Sequence, residues 1–253
     1  MDMARAAKAV GSPVVRCLLG SAEDRIGAVP FREHVAECVR TLKAAGPVAR
    51  ELGVKFAVEN HGGVNLPARE LRALIEAAGA DVVGACLDTG NPAYGGEDPV
   101  VSAEILAPYV LTTQVRDTRV WAVEDGAMAQ WTPVGEGNVD LRRIVELVGN
   151  QAPQVPINLE IITAGAPKHL PYLDPESTFW KLYPDMLARD FARFIELARR
   201  GRQEPLDQEV APAGMRDLPP GQIGGRLRAQ QRRHLEDSVR YSRDVLSLGE
   251  RAC

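Results

Sequence analysis

The chain has 253 residues, 45% hydrophobic and 25% charged, with a formal net charge of −4 and a pI near 5.7. This balance excludes a general nucleic-acid binder and a basic membrane-surface protein, and no apolar run approaches the roughly 20 residues of a spanning helix. With no signal peptide visible, a cytoplasmic protein with one sizeable core plus a tail is expected.

Residues 1–10 read as the end of a helix, and an apolar run at 13–19, stopped by Gly20 and Ser21, is the first strand. Residues 31–52 carry helical periodicity, with Val35, Val39, Leu42 and Leu52 on one face and Gly46-Pro47 marking a kink or a split. After Gly53 comes a strand at 54–59, then a helix at 68–78 ending at Gly79, then a strand at 82–88. Asp98 reads as the N-cap of a helix over 98–106 with Pro99 at its first position, and a strand at 110–115 follows.

A long polar loop containing the piece 127–132 leads to G-E-G-N-V-D at 135–140, where Asp140 caps a helix at 141–148. This glycine motif does not join a strand to a helix as a dinucleotide fingerprint must, so NAD binding is rejected. A strand at 156–161, a Pro-rich loop to 175 and a helix of about two dozen residues ending near Arg200-Gly201 complete the alternation. Residues 202–221 read as a linker or arm, and 225–248 as an amphipathic helix with Leu227, Leu235, Val239 and Leu246 as its apolar face. The chain thus divides into a domain at 1–201 and a linker with a helical tail at 202–253, packed on the domain or on a neighbouring subunit. The β-α-β-α order argues for parallel strands joined by right-handed crossovers.

The cysteines Cys17, Cys38, Cys86 and Cys253 show no paired spacing, and Cys17 and Cys86, inside apolar runs, read as small buried hydrophobes. The acids are more informative. Glu59, Asp88 and Glu160 each end a strand-like apolar run. A buried carboxylate is costly unless it is paired or binds a metal. At the same end of successive parallel strands the three converge on the face where β/α enzymes build their sites. Five strand-helix units are readable, whereas a closed β/α barrel has eight in about 250 residues. The expected fold is α/β, a partial TIM barrel with a C-terminal helical tail.

Five pieces, taken in order, resemble the xylose isomerase-like TIM-barrel family of sugar isomerases and epimerases. They are E-N-H-G at 59–62, L-D-T-G-N-P at 87–92, T-T-Q-V-R-D at 112–117, V-G-E-G-N-V-D at 134–140 and the strand-end Glu160. The resemblance covers residues 13 to about 200. It implies one divalent metal held by a Glu, an Asp, a His and a second Glu, which fall here on Glu59, Asp88, Gln114 and Glu160. Gln114 departs from the family's His, and its carbonyl oxygen suits a hard cation, so Mn²⁺ or Mg²⁺ is expected over Zn²⁺. The resemblance further implies Glu59 and Glu160 as an acid/base pair that removes a proton beside a carbonyl and returns one to the opposite face, with the metal stabilising the enediolate.

His61, Asn91, Arg116 and Arg119 are placed as substrate contacts, with an Arg116–Asp117 ion pair as the alternative for Arg116. Lys168 and His169 read as a solvated loop, and Phe179 and Trp180 as helix core. By the same alignment the first strand here corresponds to the fourth of the barrel. Three β/α units are then missing, and the chain is expected to be truncated or to persist as a partial barrel paired with another copy.

The expected function is a metal-dependent isomerase or epimerase of a small sugar or polyol, with no nucleic-acid or membrane partner and a homo-oligomeric state left open. The alternatives are a catalytically inactive or truncated relative acting in binding or assembly, and a keto-polyol dehydratase that shares the first proton abstraction. An endonuclease of abasic DNA, which shares the fold, is set aside. It needs three Zn²⁺ and several His ligands, and the four histidines here lie mostly away from strand ends.

Overall fold

The computed structural model describes residues 2–20, 22–61, 66–162, 164–202, 205–211 and 224–249. Gly62, Cys253 and most of the linker expected at 202–221 lie outside the described residues. The first half is a run of β/α units. α1 (Asp2–Ala9) leads into β1 (Val14–Cys17), then α2 (Phe31–Leu52), β2 (Lys55–Glu59), α3 (Ala68–Ala78), β3 (Val83–Asp88), α4 (Pro99–Leu106) and β4 (Val110–Gln114). The four strands form one parallel sheet in the order β1-β2-β3-β4. Every residue of β3 is buried, as expected of a parallel strand covered on both faces.

Local chemistry sets the element ends. α2 runs unbroken through Pro47 and stops at Gly53, whose left-handed φ of 66° turns the chain into β2. Asp98 caps α4 by accepting the Val100 N–H at 2.9 Å. Leu71, Leu74 and Ile75 of α3 are fully buried in one cluster with Val54, Val58, Leu87 and Leu106. Each such side chain contributes about 1.5–3 kcal/mol relative to exposure. No helix of the described residues is long and apolar enough to cross a membrane.

The strand expected at 156–161 is reduced to a single parallel bridge between Val115 and Leu159. Two backbone bonds hold it, from Val115 N–H to the Asn158 carbonyl at 2.7 Å and from Glu160 N–H to the Val115 carbonyl at 2.9 Å. Pro156 has no N–H to offer. Instead, Thr113 Oγ1 donates to the Pro156 carbonyl at 3.0 Å and accepts the Asn158 N–H at 2.9 Å. The segment still runs alongside β4 and carries Glu160 to the edge of the sheet.

The long polar loop is in fact a hairpin. β5 (Asp117–Val123) and β6 (Gly126–Thr132) pair antiparallel across a two-residue turn. α5 (Leu141–Gln151) follows, capped by Asp140, which accepts the Arg143 N–H at 3.0 Å. β7 (Lys168–Leu170) then adds to β6, so Lys168 and His169 belong to a strand and not to a solvated loop. Lys168 Nζ donates to the Tyr94 carbonyl at 2.9 Å, and His169 Nε2 meets Asp125 at 2.8 Å.

The two-dozen-residue helix is split into α6 (Thr178–Leu182) and α7 (Ala188–Arg200). Pro184 lies in the break, where it can neither donate a backbone bond nor continue a helix. Phe179, Phe194 and Tyr172 form an aromatic core between these helices and the hairpin sheet.

α8 (Gly225–Asp244) reverses the expected apolar face. Leu235 and Val239 are exposed, while Gln230, His234, Ser238 and Ser242, spaced by four, are buried. The surface beneath α8 includes irregular backbone that needs partners. Gln230 bonds both ways with the Glu209 backbone, and Ser238 Oγ accepts the Val134 N–H at 3.0 Å. Leu246 alone of the expected apolar set is buried.

Candidate metal centre

Three carboxylates meet at the carboxyl ends of the strands. Glu59 closes β2, Asp88 closes β3, and Glu160 follows the bridge beside β4. Each offers an oxygen within 4.8 Å of the others. Glu59 and Asp88 are 0% exposed, and the Glu160 side chain is 22% exposed. The register explains the convergence. Arg16 pairs with Ala57, Glu59 with Cys86 and Asp88 with Gln114. In-register residues of a parallel sheet project to the same face, which therefore carries Arg16, Glu59, Asp88 and Gln114.

The carboxylates are held by named groups. Asn60 staples the tips of β2 and β3, donating from Nδ2 to the Asp88 carbonyl and accepting the Asp88 N–H, both at 2.8 Å. Asp88 Oδ1 accepts the N–H groups of Gly90 and Asn91, each at 2.8 Å. Asn91 Nδ2 donates to Glu59 Oε1 at 3.3 Å, and Arg16 donates to Glu59 Oε2. Arg116 Nη2 donates to Asp88 Oδ2 at 2.6 Å and also to Glu160 Oε2. A Cβ at position 90 would meet Arg116 Cγ at 2.4 Å, so the glycine of L-D-T-G lets this side chain reach the cluster. The guanidinium carbon lies 4.4 Å from the Trp131 ring centroid, and Trp131 stacks on Tyr94 at 4.6 Å.

The charges are incompletely balanced. Burial first, then the neighbouring Asp88, pushes Glu59 up to about 7, against the opposing pull of Arg16. Burial raises Asp88 to about 6 despite Arg116 and the two backbone donors. Two guanidiniums face three carboxylates, and an added cation would relieve the excess. The donors are oxygens alone, which suits Mg²⁺ or Mn²⁺. The residues therefore fit a hard divalent ion.

Among the residues singled out in the sequence, Glu59, Asp88 and Glu160 come together, with Gln114 beside Asp88 in register and half-exposed. Asn91 supports Glu59, and His61, half-exposed, follows Asn60 directly. Arg119 is directed elsewhere, donating to the Glu136 carbonyl at 3.0 and 3.3 Å. The Arg116–Asp117 pair does not form. Asp117 instead accepts the N–H groups of Thr118, Gly135 and Gly137 at 2.8–3.1 Å. Arg16, Asn60 and Trp131 are the unforeseen contributors. A signal existed for Arg16, a charge inside the apolar run V-V-R-C. A separate cavity of 330 Å³ beside α3 is lined by residues including Glu97, Tyr183 and Asp190, and Arg69 pairs with Asp190 there at 2.6 Å.

A family model of the xylose isomerase-like TIM barrel matches residues 1–179. Among solved structures, a xylose isomerase domain protein from Planctomyces limnophilus is 20% identical with a TM-score of 0.51, covering 62% of this chain and 55% of that one. A xylose isomerase-like TIM barrel protein from Mycobacterium smegmatis, in complex with magnesium, is 16% identical with a TM-score of 0.54, covering 77% and 64%. A D-psicose 3-epimerase with D-tagatose from Clostridium cellulolyticum H10 is 12% identical with a TM-score of 0.51, covering 78% and 65%. At these identities the likeness shows the fold alone. The chain spans 55% to 65% of the length of these three proteins. No curated protein matches. Fold and family model agree: the chain belongs to the xylose isomerase-like TIM barrel family and forms a partial barrel of it.

Proposed function

We propose that this chain holds the cation-binding part of a sugar isomerase or epimerase site. Glu59, Asp88, Gln114 and Glu160 would hold one Mg²⁺ or Mn²⁺, and Glu59 and Glu160 would also move the proton. The observation that carries this reading is the meeting of three strand-end carboxylates, with oxygens within 4.8 Å, on the carboxyl face of a parallel sheet.

When bound, such a cation supplies Lewis-acid polarisation of a carbonyl oxygen. The chain's own residues do the rest. Glu59 is fixed by Arg16 and Asn91, and Asp88 by Gly90, Asn91 and Asn60, so neither carboxylate has to reorganise. Glu160 is the more open of the two Glu side chains and is reachable by substrate. Two carboxylates from different segments can approach one carbon from two directions, one removing a proton beside a carbonyl and the other returning it. The magnesium in the Mycobacterium smegmatis protein and the D-tagatose in the Clostridium epimerase support this choice of metal and substrate class.

The test is proton exchange. The chain, with Mn²⁺ and a panel of ketoses in D₂O, is expected to place deuterium on the carbon next to the carbonyl, read by NMR. Glu160→Gln should abolish the exchange while remaining folded. No exchange with any ketose by the folded, metal-bound chain would defeat the reading. A second reading, a catalytically inactive relative serving in binding or assembly, draws on one observation: arginines already contact all three carboxylates.

A further inference from the structure

We propose that Arg116 is a resident counter-cation of the carboxylate cluster, and that a divalent metal enters by displacing its guanidinium from Asp88 and Glu160. This deepens the metal-binding reading above and rests on it.

Three observations point to Arg116. First, a single nitrogen, Nη2, touches both Asp88 Oδ2 and Glu160 Oε2, so one positive group already sits between two of the three carboxylates that would hold a metal. Second, the side chain is only 4% exposed, while its Nε and Nη1 are buried with no hydrogen-bond partner. A buried guanidinium has five N–H donors to satisfy, and those on Nε and Nη1 go unmet. Here two carboxylates and the Trp131 face hold it, and leaving the cluster gives up the bonds of one nitrogen. Third, Arg16 differs. Its side chain is 40% exposed and contacts only Glu59 among the three acids, so it can swing toward water without vacating the shared oxygens.

A divalent ion held by Asp88 and Glu160 would bring its charge beside the Arg116 guanidinium in a low-dielectric setting. The two cations therefore compete. Removing the arginine charge should tighten metal binding, and without metal it should leave the carboxylates poorly compensated and the fold weaker.

Arg116→Met tests this, because methionine keeps an unbranched apolar stem against Trp131. Calorimetric titration with Mn²⁺ should show the variant binding about tenfold tighter than the parent, a coupling typical of linked sites. Its melting temperature should lie below the parent's in EDTA and rise more on adding Mn²⁺. Equal or weaker binding by the variant overturns the competition and leaves the metal-binding reading intact. Binding by neither folded protein overturns both. If Arg116→Met does not fold, the parent decides. Saturating Mg²⁺ should shift the Arg116 Nε–H resonance, assigned with Arg116→Lys, and an unmoved resonance contradicts displacement.

Discussion

Asp117 and Asp88 are equally deep in this protein, yet they do opposite work. Asp117 is surrounded by three backbone N–H groups, those of Thr118, Gly135 and Gly137, and so pins the loop before α5 to the start of β5. Asp88 gives one oxygen to a similar cradle, while its other oxygen faces Arg116 within a group of three acids. Burial is therefore not what marks a site. The mark is like charges brought together with too few counter-charges, an arrangement that folding alone does not reward. Glu97 stands between the two, accepting the Ala68 N–H at 3.1 Å and the Ser102 hydroxyl at 2.6 Å within a buried pocket.

Truncating each acid should separate these settings, with the largest effect at Asp117. Asp117→Ala strands the buried Thr118 N–H and the part-buried N–H groups of Gly135 and Gly137, and should cost about 3–5 kcal/mol in urea unfolding, while the folded fraction keeps its metal affinity. If metal affinity fell with stability, the two regions would not be independent.

Glu97 sharpens the comparison through pH. Burial raises its carboxyl from 4.5 to about 7, so the folded chain retains a proton that the unfolded chain has already lost. The stability from this group is complete below pH 4.5 and is lost as pH rises through about 7, by on the order of 3 kcal/mol. Glu97→Gln should flatten this slope and be more stable than the parent at pH 8, checked by urea midpoints at both ends of the range. An unchanged slope would remove Glu97 as its source.

The smallest effect belongs to an exposed acid. The Asp140 side chain accepts the Arg143 N–H at the start of α5, and Asp140→Ala should cost about 1 kcal/mol in thermal or urea unfolding. A loss as large as that at Asp117 would mean that exposure does not separate the two classes.

The same contrast explains what was legible in the sequence. β2 and β3 and their terminal acids stand out because a parallel strand buried on both faces is a short apolar run, and an acid at its end is conspicuous. The hairpin β5–β6 is harder to see. Arg119, Thr118 and Gln130 are buried along with Val120 and Trp121, so the polar/apolar alternation that announces a half-exposed strand is blurred. Only the turn Glu124-Asp125-Gly126 signals it.

α8 misleads for a related reason. Its buried side is chosen by hydrogen bonds to loop backbone, through Gln230 and Ser238, and not by apolar area. Within the site, Glu59, Asp88 and Glu160 are readable because strand ends are local. The partner of Arg116 is not, because whether it turns to Asp117 or to Asp88 depends on how β5 leaves the sheet, and that is settled by tertiary contacts such as the passage over Gly90.

The claim beneath all of this is that Glu59, Asp88 and Glu160 act together as one cation site. Titrating Mn²⁺ into the parent and into Asp88→Asn, which keeps the oxygen that caps Gly90 and Asn91, tests it most directly. One ion per chain in the parent, with affinity at least about tenfold weaker in the variant, is the predicted result. No binding by the parent, or the same affinity in both, would contradict it.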